Sequence, residues 1–168
     1  DIGTGSGCIS CALAKKLKRK KFEILATDIS LDALSIAMEN ISSLNLIKKV
    51  MLRKSDIFYN IRDYEKFDLI VSNPPYIPIS QKNELQYEVL NFEPEKALFA
   101  SDEDGIEFYQ KIINDAPRFL KPEGILAFEA GINQAPKIIK LLENKFEDIK
   151  IIPDLAGIER VISAKLKI

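Results

Sequence analysis

The 168 residues contain no histidine. That absence excludes a histidine-based catalytic triad, a histidine general base and a histidine-containing zinc site. Any chemistry must therefore rest on carboxylates, amides, tyrosines, backbone groups or a bound cofactor. Cysteine is scarce, with only Cys8 and Cys11. A pair so close together cannot staple a secreted fold, so a reducing compartment is expected, most simply the cytoplasm. No apolar run approaches the roughly 20 residues of a membrane span, and no signal peptide is visible. Net charge is −1, so no global field draws the chain toward nucleic acid or an anionic membrane. What remains, 46% hydrophobic and 29% charged residues, fits one globular domain with a sizeable core.

The most informative segment is Asn73-Pro74-Pro75-Tyr76, directly after the run 67–72. An apolar run of that length predicts a buried parallel strand. Neither proline can donate to a ladder, so the chain must leave the sheet there. Bare carbonyls and one carboxamide then stand at the carboxyl end of a strand, where open α/β sheets bind ligands. Such a cluster of acceptors suits gripping the N–H groups of a planar amino or amide nitrogen.

Elsewhere, apolar spacing predicts helices over 7–20, 31–44 (with Ser30 as N-cap), 105–120 and 136–146. Strands are expected at 22–27, 50–54, 67–72, 125–129, 149–152 and 161–166, with a turn at 121–124. The last strand alternates as an antiparallel edge strand does. Residues 77–100 show no clean period and are expected to form a lid or binding segment. The β-α-β-α-β order predicts a doubly wound, largely parallel α/β sheet. The chain opens on Asp1-Ile2-Gly3-Thr4-Gly5-Ser6-Gly7 with almost no strand ahead of it. It is expected to be a fragment beginning inside its first strand.

Gly3, Gly5 and Gly7 let a backbone approach a ligand where a Cβ would collide. The helix that follows presents free N–H groups to a negative group such as a carboxylate. Asp28 ends the next strand about 20 residues further on, where an acid accepts hydrogen bonds from ribose hydroxyls. These features fit a dinucleotide or a nucleoside. A dinucleotide site wants G-x-G-x-x-G, but here Cys8 takes the place of its third glycine. The run D-x-G-x-G-x-G resembles motif I of the class I S-adenosylmethionine methyltransferases.

Asn-Pro-Pro-Tyr resembles motif IV of methyltransferases acting on planar nitrogen, both N6-adenine and glutamine-N5 enzymes. Three further segments resemble the peptide chain release factor glutamine N5-methyltransferases. They are Asn91-Phe92-Glu93-Pro94-Glu95-Lys96-Ala97-Leu98, then Phe128-Glu129-Ala130-Gly131 with Gln134, then Asp154 to Val161. The resemblance covers essentially the whole chain and implies a Rossmann-like class I fold, α/β, mostly parallel, with an antiparallel C-terminal edge strand. It implies a catalytic domain over 1–168, without the small N-terminal helical domain of that family. S-adenosyl-L-methionine is the implied cofactor, held by Gly3, Thr4, Gly5, Ser6, Gly7, Asp28, Asp56, Ile57 and Asn73. Asp56 is placed near the adenine amine and Ile57 against its ring. The implied substrate is a glutamine side chain in a Gly-Gly-Gln loop, held by Asn73, Pro74, Pro75 and Tyr76. The Asn73 oxygen and the Pro74 carbonyl accept its N–H bonds, and Tyr76 packs on the amide plane or closes the slot. Glu93 and Glu129 fall near the pocket rim without a chemical role, and Asp154 to Val161 shapes the sheet edge. No metal, no direct nucleic-acid contact, no membrane and a monomer are expected. An N6-adenine methyltransferase and a catalytically silent cofactor-binding module are the competing readings.

Two features invite other readings. Residues 15–21 hold six bases in seven positions, read as a solvated helix terminus where cations suit the dipole. Cys8 and Cys11 are read as small core residues.

Overall fold

The computed structural model describes residues 1–17 and 21–168. The chain divides into two compact units, residues 1–62 and 63–168.

In the first unit the opening turn leads into α1 (Cys8–Lys16), followed by β1 (Ile24–Asp28), α2 (Leu31–Ser43) and β2 (Val50–Lys54). β1 and β2 pair in parallel, Ile24 opposite Val50 through Asp28 opposite Lys54. Ser30 caps α2 as expected, its Oγ accepting from the Ala33 N–H at 3.2 Å. Leu34, Ala37 and Ile41 form the buried stripe of α2. Ala37 and Ile41 meet Cys11, Ala14, Ala26, Leu46 and Val50 in one apolar cluster. α1 is shorter than expected, ending at Lys16. Residues 18–20 of the basic run lie outside the described residues; Lys15 and Lys16 occupy the last turn of α1, where its carbonyls favour cations. Cys11 is buried and joins the core, but Cys8 is exposed. It begins the helix, beside Ser6 with Oγ and Sγ 3.2 Å apart, and does not fill the interior.

The second unit carries a four-stranded sheet in the order β3-β6-β8-β7, built from β3 (Phe67–Ser72), β6 (Leu120–Glu129), β8 (Glu159–Leu166) and β7 (Phe146–Pro153). β3 and β6 are parallel, whereas β8 is antiparallel to both β6 and β7. The antiparallel edge strand is therefore β7, and β8 lies inside the sheet. Its alternation, with Ile162 and Ala164 buried, reports one covered face rather than an edge position. β3 is fully buried only toward its end: Asp68 and Leu69 are exposed, Ile70 and Ser72 buried. The expected turn at 121–124 is an irregularity within β6. Phe67 faces Leu120 and Leu69 faces Ile125, so the extra residues bulge out, with Glu123 at a positive φ of 62°.

α5 (Glu107–Phe119) buries Tyr109, Ile112, Ile113, Ala116 and Phe119. α6 (Ala135–Leu142) buries Ala135, Ile138 and Leu142. It stops four residues before the expected end, and Phe146 opens β7. The apolar spacing Ile138–Leu142–Phe146 continues across that break because all three reach the interior. Residues 77–100 are not a bare loop. They form β4 (Ile77–Pro78), a 3₁₀ turn (Ile79–Glu84), α3 (Tyr87–Phe92), α4 (Glu95–Leu98) and β5 (Phe99–Ala100). Elements this short are below the length at which a period can register. β4 and β5 pair in parallel, which ties both ends of the segment together. Among the described residues no helix is long and apolar enough to cross a membrane.

Candidate functional site

The first unit gathers its predicted residues at the carboxyl ends of β1 and β2. Asp1 organises the glycine turn. Its Oδ2 accepts from Thr4 Oγ1 at 2.7 Å, the Ser10 N–H at 3.1 Å and Ser10 Oγ at 2.7 Å. Thr4 is buried, and its N–H donates to the Thr27 carbonyl at 2.9 Å. The Ser6 carbonyl accepts from Asn40 Nδ2 at 2.9 Å. These groups hold the turn's shape rather than face outward. The other Asp1 oxygen, Oδ1, is buried without a protein partner. A buried carboxylate oxygen left unpaired is costly.

The glycines divide by task. Gly3 and Gly5 adopt φ of 66° and 54°, and a Cβ on either would meet nothing within 4 Å. Their conformation demands glycine, and the backbone face they offer is open. A Cβ on Gly7 would lie 3.3 Å from the Ala37 Cβ, so this position also serves close packing of α1 on α2.

Asp28 links all three segments. Its Oδ2 accepts from the Gly5 N–H and its Oδ1 from the Ser30 N–H, each at 2.9 Å. Its own carbonyl accepts from the Ser55 N–H at 2.9 Å. Each carboxylate oxygen keeps a second lone pair. Asp56 is exposed. Ile57 sits at φ 46°, which is a true outlier for a β-branched side chain. Buried Ser55 holds it there, donating through Oγ to the Ile57 carbonyl and accepting from the Asn60 N–H, both at 3.0 Å. The roles of Asp1 toward Ser10 and of Ser55 carry no local signature, because both depend on folding the turn back on itself.

The second unit carries the remaining residues. β3 ends at buried Ser72, then Asn73 is exposed, Pro74 is buried, and Pro75 and Tyr76 are half-buried. The Tyr76 carbonyl accepts from Gln134 Nε2 at 2.9 Å. The same nitrogen donates to the carbonyls of Asp104 at 3.0 Å and Gly105 at 3.3 Å. Gln134 Oε1 accepts from the Gly131 N–H at 3.1 Å. The Tyr76 ring lies against Gly131, where a Cβ would come within 2.9 Å of Tyr76 Cδ2. Burial, then the charge of Glu129, raises the Tyr76 phenol above its ordinary value, with Arg160 opposing; it remains a neutral hydrogen-bonding group.

Beneath, Tyr109 is fully buried. Its hydroxyl donates to the Glu129 carbonyl at 2.8 Å, and its ring meets Phe128 edge-on at 5.2 Å. Asp154 Oδ1 accepts from the N–H groups of Ala156 and Ile158 at 2.8 and 3.0 Å. Arg160 Nη1 donates to the Ala130 carbonyl at 3.3 Å. The segment from Asp154 thus shapes the approach to β8. Glu93 is exposed and Glu129 half-buried. Among the described residues no group of three or more cysteine, aspartate or glutamate side chains is arranged to hold a metal ion.

The family model described as "Methyltransferase domain" matches residues 1–163. A "Release factor glutamine methyltransferase" of Bacteroides thetaiotaomicron is 42% identical over 167 residues, covering 98% of this chain and 58% of that protein. A "Bifunctional methyltransferase" of Rickettsia typhi is 42% identical over 163 residues, covering 96% of this chain and 31% of that protein. The chain therefore spans less than two thirds of either relative. Among solved structures, the ribosomal protein L11 methylase of Lactobacillus delbrueckii subsp. bulgaricus superposes with a TM-score of 0.66. It is 28% identical, and the match covers 100% of this chain and 69% of that one. The expected α/β fold, with parallel strands and an antiparallel edge strand, is the fold found.

Proposed function

We propose, from the premise that the chain belongs to the methyltransferase domain family, that the full-length protein methylates the side-chain amide nitrogen of a glutamine. Its substrate is a cytoplasmic protein, a peptide chain release factor presenting a Gly-Gly-Gln loop. The observation that carries this reading is the turn after β3, where an exposed carboxamide at Asn73 is followed by buried Pro74. The name of the Bacteroides relative supports the same substrate.

The residues present fit S-adenosyl-L-methionine. The unpaired Asp1 Oδ1, the open backbone face of Gly3 and Gly5 and the spare lone pairs of Asp28 supply polar groups, and Ile57 supplies an apolar surface. When bound, that cofactor supplies a methyl carbon made electrophilic by its sulfonium. The chain's own contribution lies on the acceptor side. An amide nitrogen is a weak nucleophile because its lone pair is delocalised into the carbonyl. The Asn73 oxygen and the Pro74 carbonyl accept its two N–H bonds, fix the amide plane and bias the lone pair toward the incoming carbon. Alignment and fixed dipoles are enough for this task. The surplus proton leaves to solvent after transfer, when the nitrogen has become acidic, so no histidine base is needed.

Incubating the full-length protein with a labelled methyl donor tests the reading. Label should enter the glutamine of a Gly-Gly-Gln release factor. Label entering adenine of DNA or RNA, and not that protein, would reject it.

Two substitutions probe the cofactor side by calorimetry. Asp28→Asn removes the charge that braces Gly5, and hydrogen bonds to charged groups are worth about 1.5–3 kcal/mol. Cofactor affinity should fall about tenfold or more; an unchanged Kd would remove Asp28 from the site. Ile57→Gly relieves a left-handed conformation costing about 1–2 kcal/mol while deleting the apolar surface offered to the adenine. Stability of the cofactor-free protein should hold or rise while affinity falls severalfold. Unaltered affinity would show that Ile57 does not touch the ring.

A further inference from the structure

We infer that Gln134 is a positioning residue for methyl transfer, fixing the turn 73–76 from its carbonyl side so that Asn73 and Pro74 present a constant geometry to the acceptor nitrogen. The inference rests on reading that turn as the substrate grip, and it adds the group that holds the grip still.

The need for such a group follows from the sequence. Pro74 and Pro75 have no N–H, so neither can tie the turn to its surroundings by donation. Of the four residues only Asn73 and Tyr76 keep a backbone N–H, so the turn depends heavily on its carbonyls for attachment. A carbonyl needs a donor, and the Tyr76 carbonyl has one in Gln134 Nε2 at 2.9 Å.

The surroundings of Gln134 are built for that contact. The side chain is 8% exposed, and both ends of its amide are engaged. Oε1 accepts from the Gly131 N–H, while Nε2 reaches the carbonyls of Tyr76, Asp104 and Gly105. One side chain thus joins three separate turns. Two glycines make room for it. A Cβ on Gly105 would stand 2.6 Å from Nε2 and 2.0 Å from the Tyr76 oxygen, and a Cβ on Gly131 would stand 2.6 Å from Oε1. Few other side chains can substitute. Leucine offers no donor, ionised glutamate turns a fourth acceptor toward these three carbonyls, and asparagine is one methylene too short.

The test uses the full-length protein and a Gly-Gly-Gln peptide, with adenine-containing RNA assayed in parallel. Gln134→Leu should lower kcat about tenfold to a hundredfold, the scale of an ångström-level misplacement. KM for the peptide and cofactor affinity should stay within about twofold, the split expected when an interaction acts in the transition state alone. Gln134→Glu should be slower still. Gly131→Ala keeps the Gln134 amide but pushes it aside, its Cβ standing 2.6 Å from Oε1 and 2.9 Å from Tyr76 Cδ2, and should reproduce the kcat loss. It also supplies the answer if Gln134→Leu fails to fold. A purely structural role would lower the fraction of cofactor-binding sites and leave kcat per site intact; that result, in either foldable variant, overturns the inference. If the wild type methylates RNA and not the peptide, the glutamine reading fails while the Gln134 effect is read on RNA. If it methylates neither, the grip itself is misread and the inference falls with it.

Discussion

Replacing Asn73 by alanine in the full-length protein is expected to lower kcat by about a hundredfold to a thousandfold, the range seen when one positioned polar group is removed from a reacting centre. The side chain is exposed at the carboxyl end of β3, and it is the sole carboxamide of the turn. Without it, one of the two acceptors proposed to orient the substrate amide is gone, and on that proposal the nitrogen lone pair falls back into conjugation with its own carbonyl. Stability should change little, because an exposed side chain contributes little to packing. Cofactor affinity should fall by no more than about fivefold, the worth of one neutral hydrogen bond. Single-turnover methylation of a Gly-Gly-Gln substrate, with the cofactor saturating, reads the chemical step alone. A variant that kept more than a third of wild-type turnover would show that the turn does not grip the amide through Asn73.

The candidate positions were legible as strand ends, and strand ends are written in local sequence. Val50–Lys54 and Phe67–Ser72 lie where the apolar runs place them, since a run broken by Ser55-Asp56 or by Asn73-Pro74 has no other way to end. Asp28 was legible for the same reason. What holds these groups was not. Ser10 returns to Asp1 across nine residues, and Gln134 reaches Tyr76 across 58; neither pairing has a period or a spacing to betray it. The sheet order was hidden similarly. β7 and β8 are adjacent in sequence and pair with each other, but only the insertion of β8 beside β6 decides which of them is the edge. Residues 77–100 hide their order for a different reason. The segment is built of elements two to six residues long, each too short for amphipathic repetition.

Gly105→Ala should be the most destabilising single-methyl change in the second unit. Its φ of 68° is left-handed, and the added Cβ would stand 2.0 Å from the Tyr76 oxygen and 2.9 Å from the Tyr76 carbonyl carbon. These are backbone atoms, which cannot swing aside as a side-chain end can. One of two turns must retreat. If 101–106 moves, Asp102 loses its bonds to the N–H groups of Ile106 and Glu107, at 2.9 and 3.2 Å, and α5 loses the brace of its first turn. If 73–76 moves, the Gln134 contact opens and the proposed substrate grip goes with it. Conformational strain of about 1–2 kcal/mol adds to overpacking of about 1–3 kcal/mol and to hydrogen bonds worth about 1 kcal/mol each. A total of about 3–7 kcal/mol is expected. Gly157→Ala provides the control. Its φ is 82°, but its Cβ would meet nothing within 4 Å, so only the conformational cost of about 1–2 kcal/mol applies. Denaturant unfolding of both variants of the full-length protein separates the two contributions. Equal losses would mean that the 104–105 turn yields to a methyl group without resistance, and that Gln134 is not clamped between rigid partners.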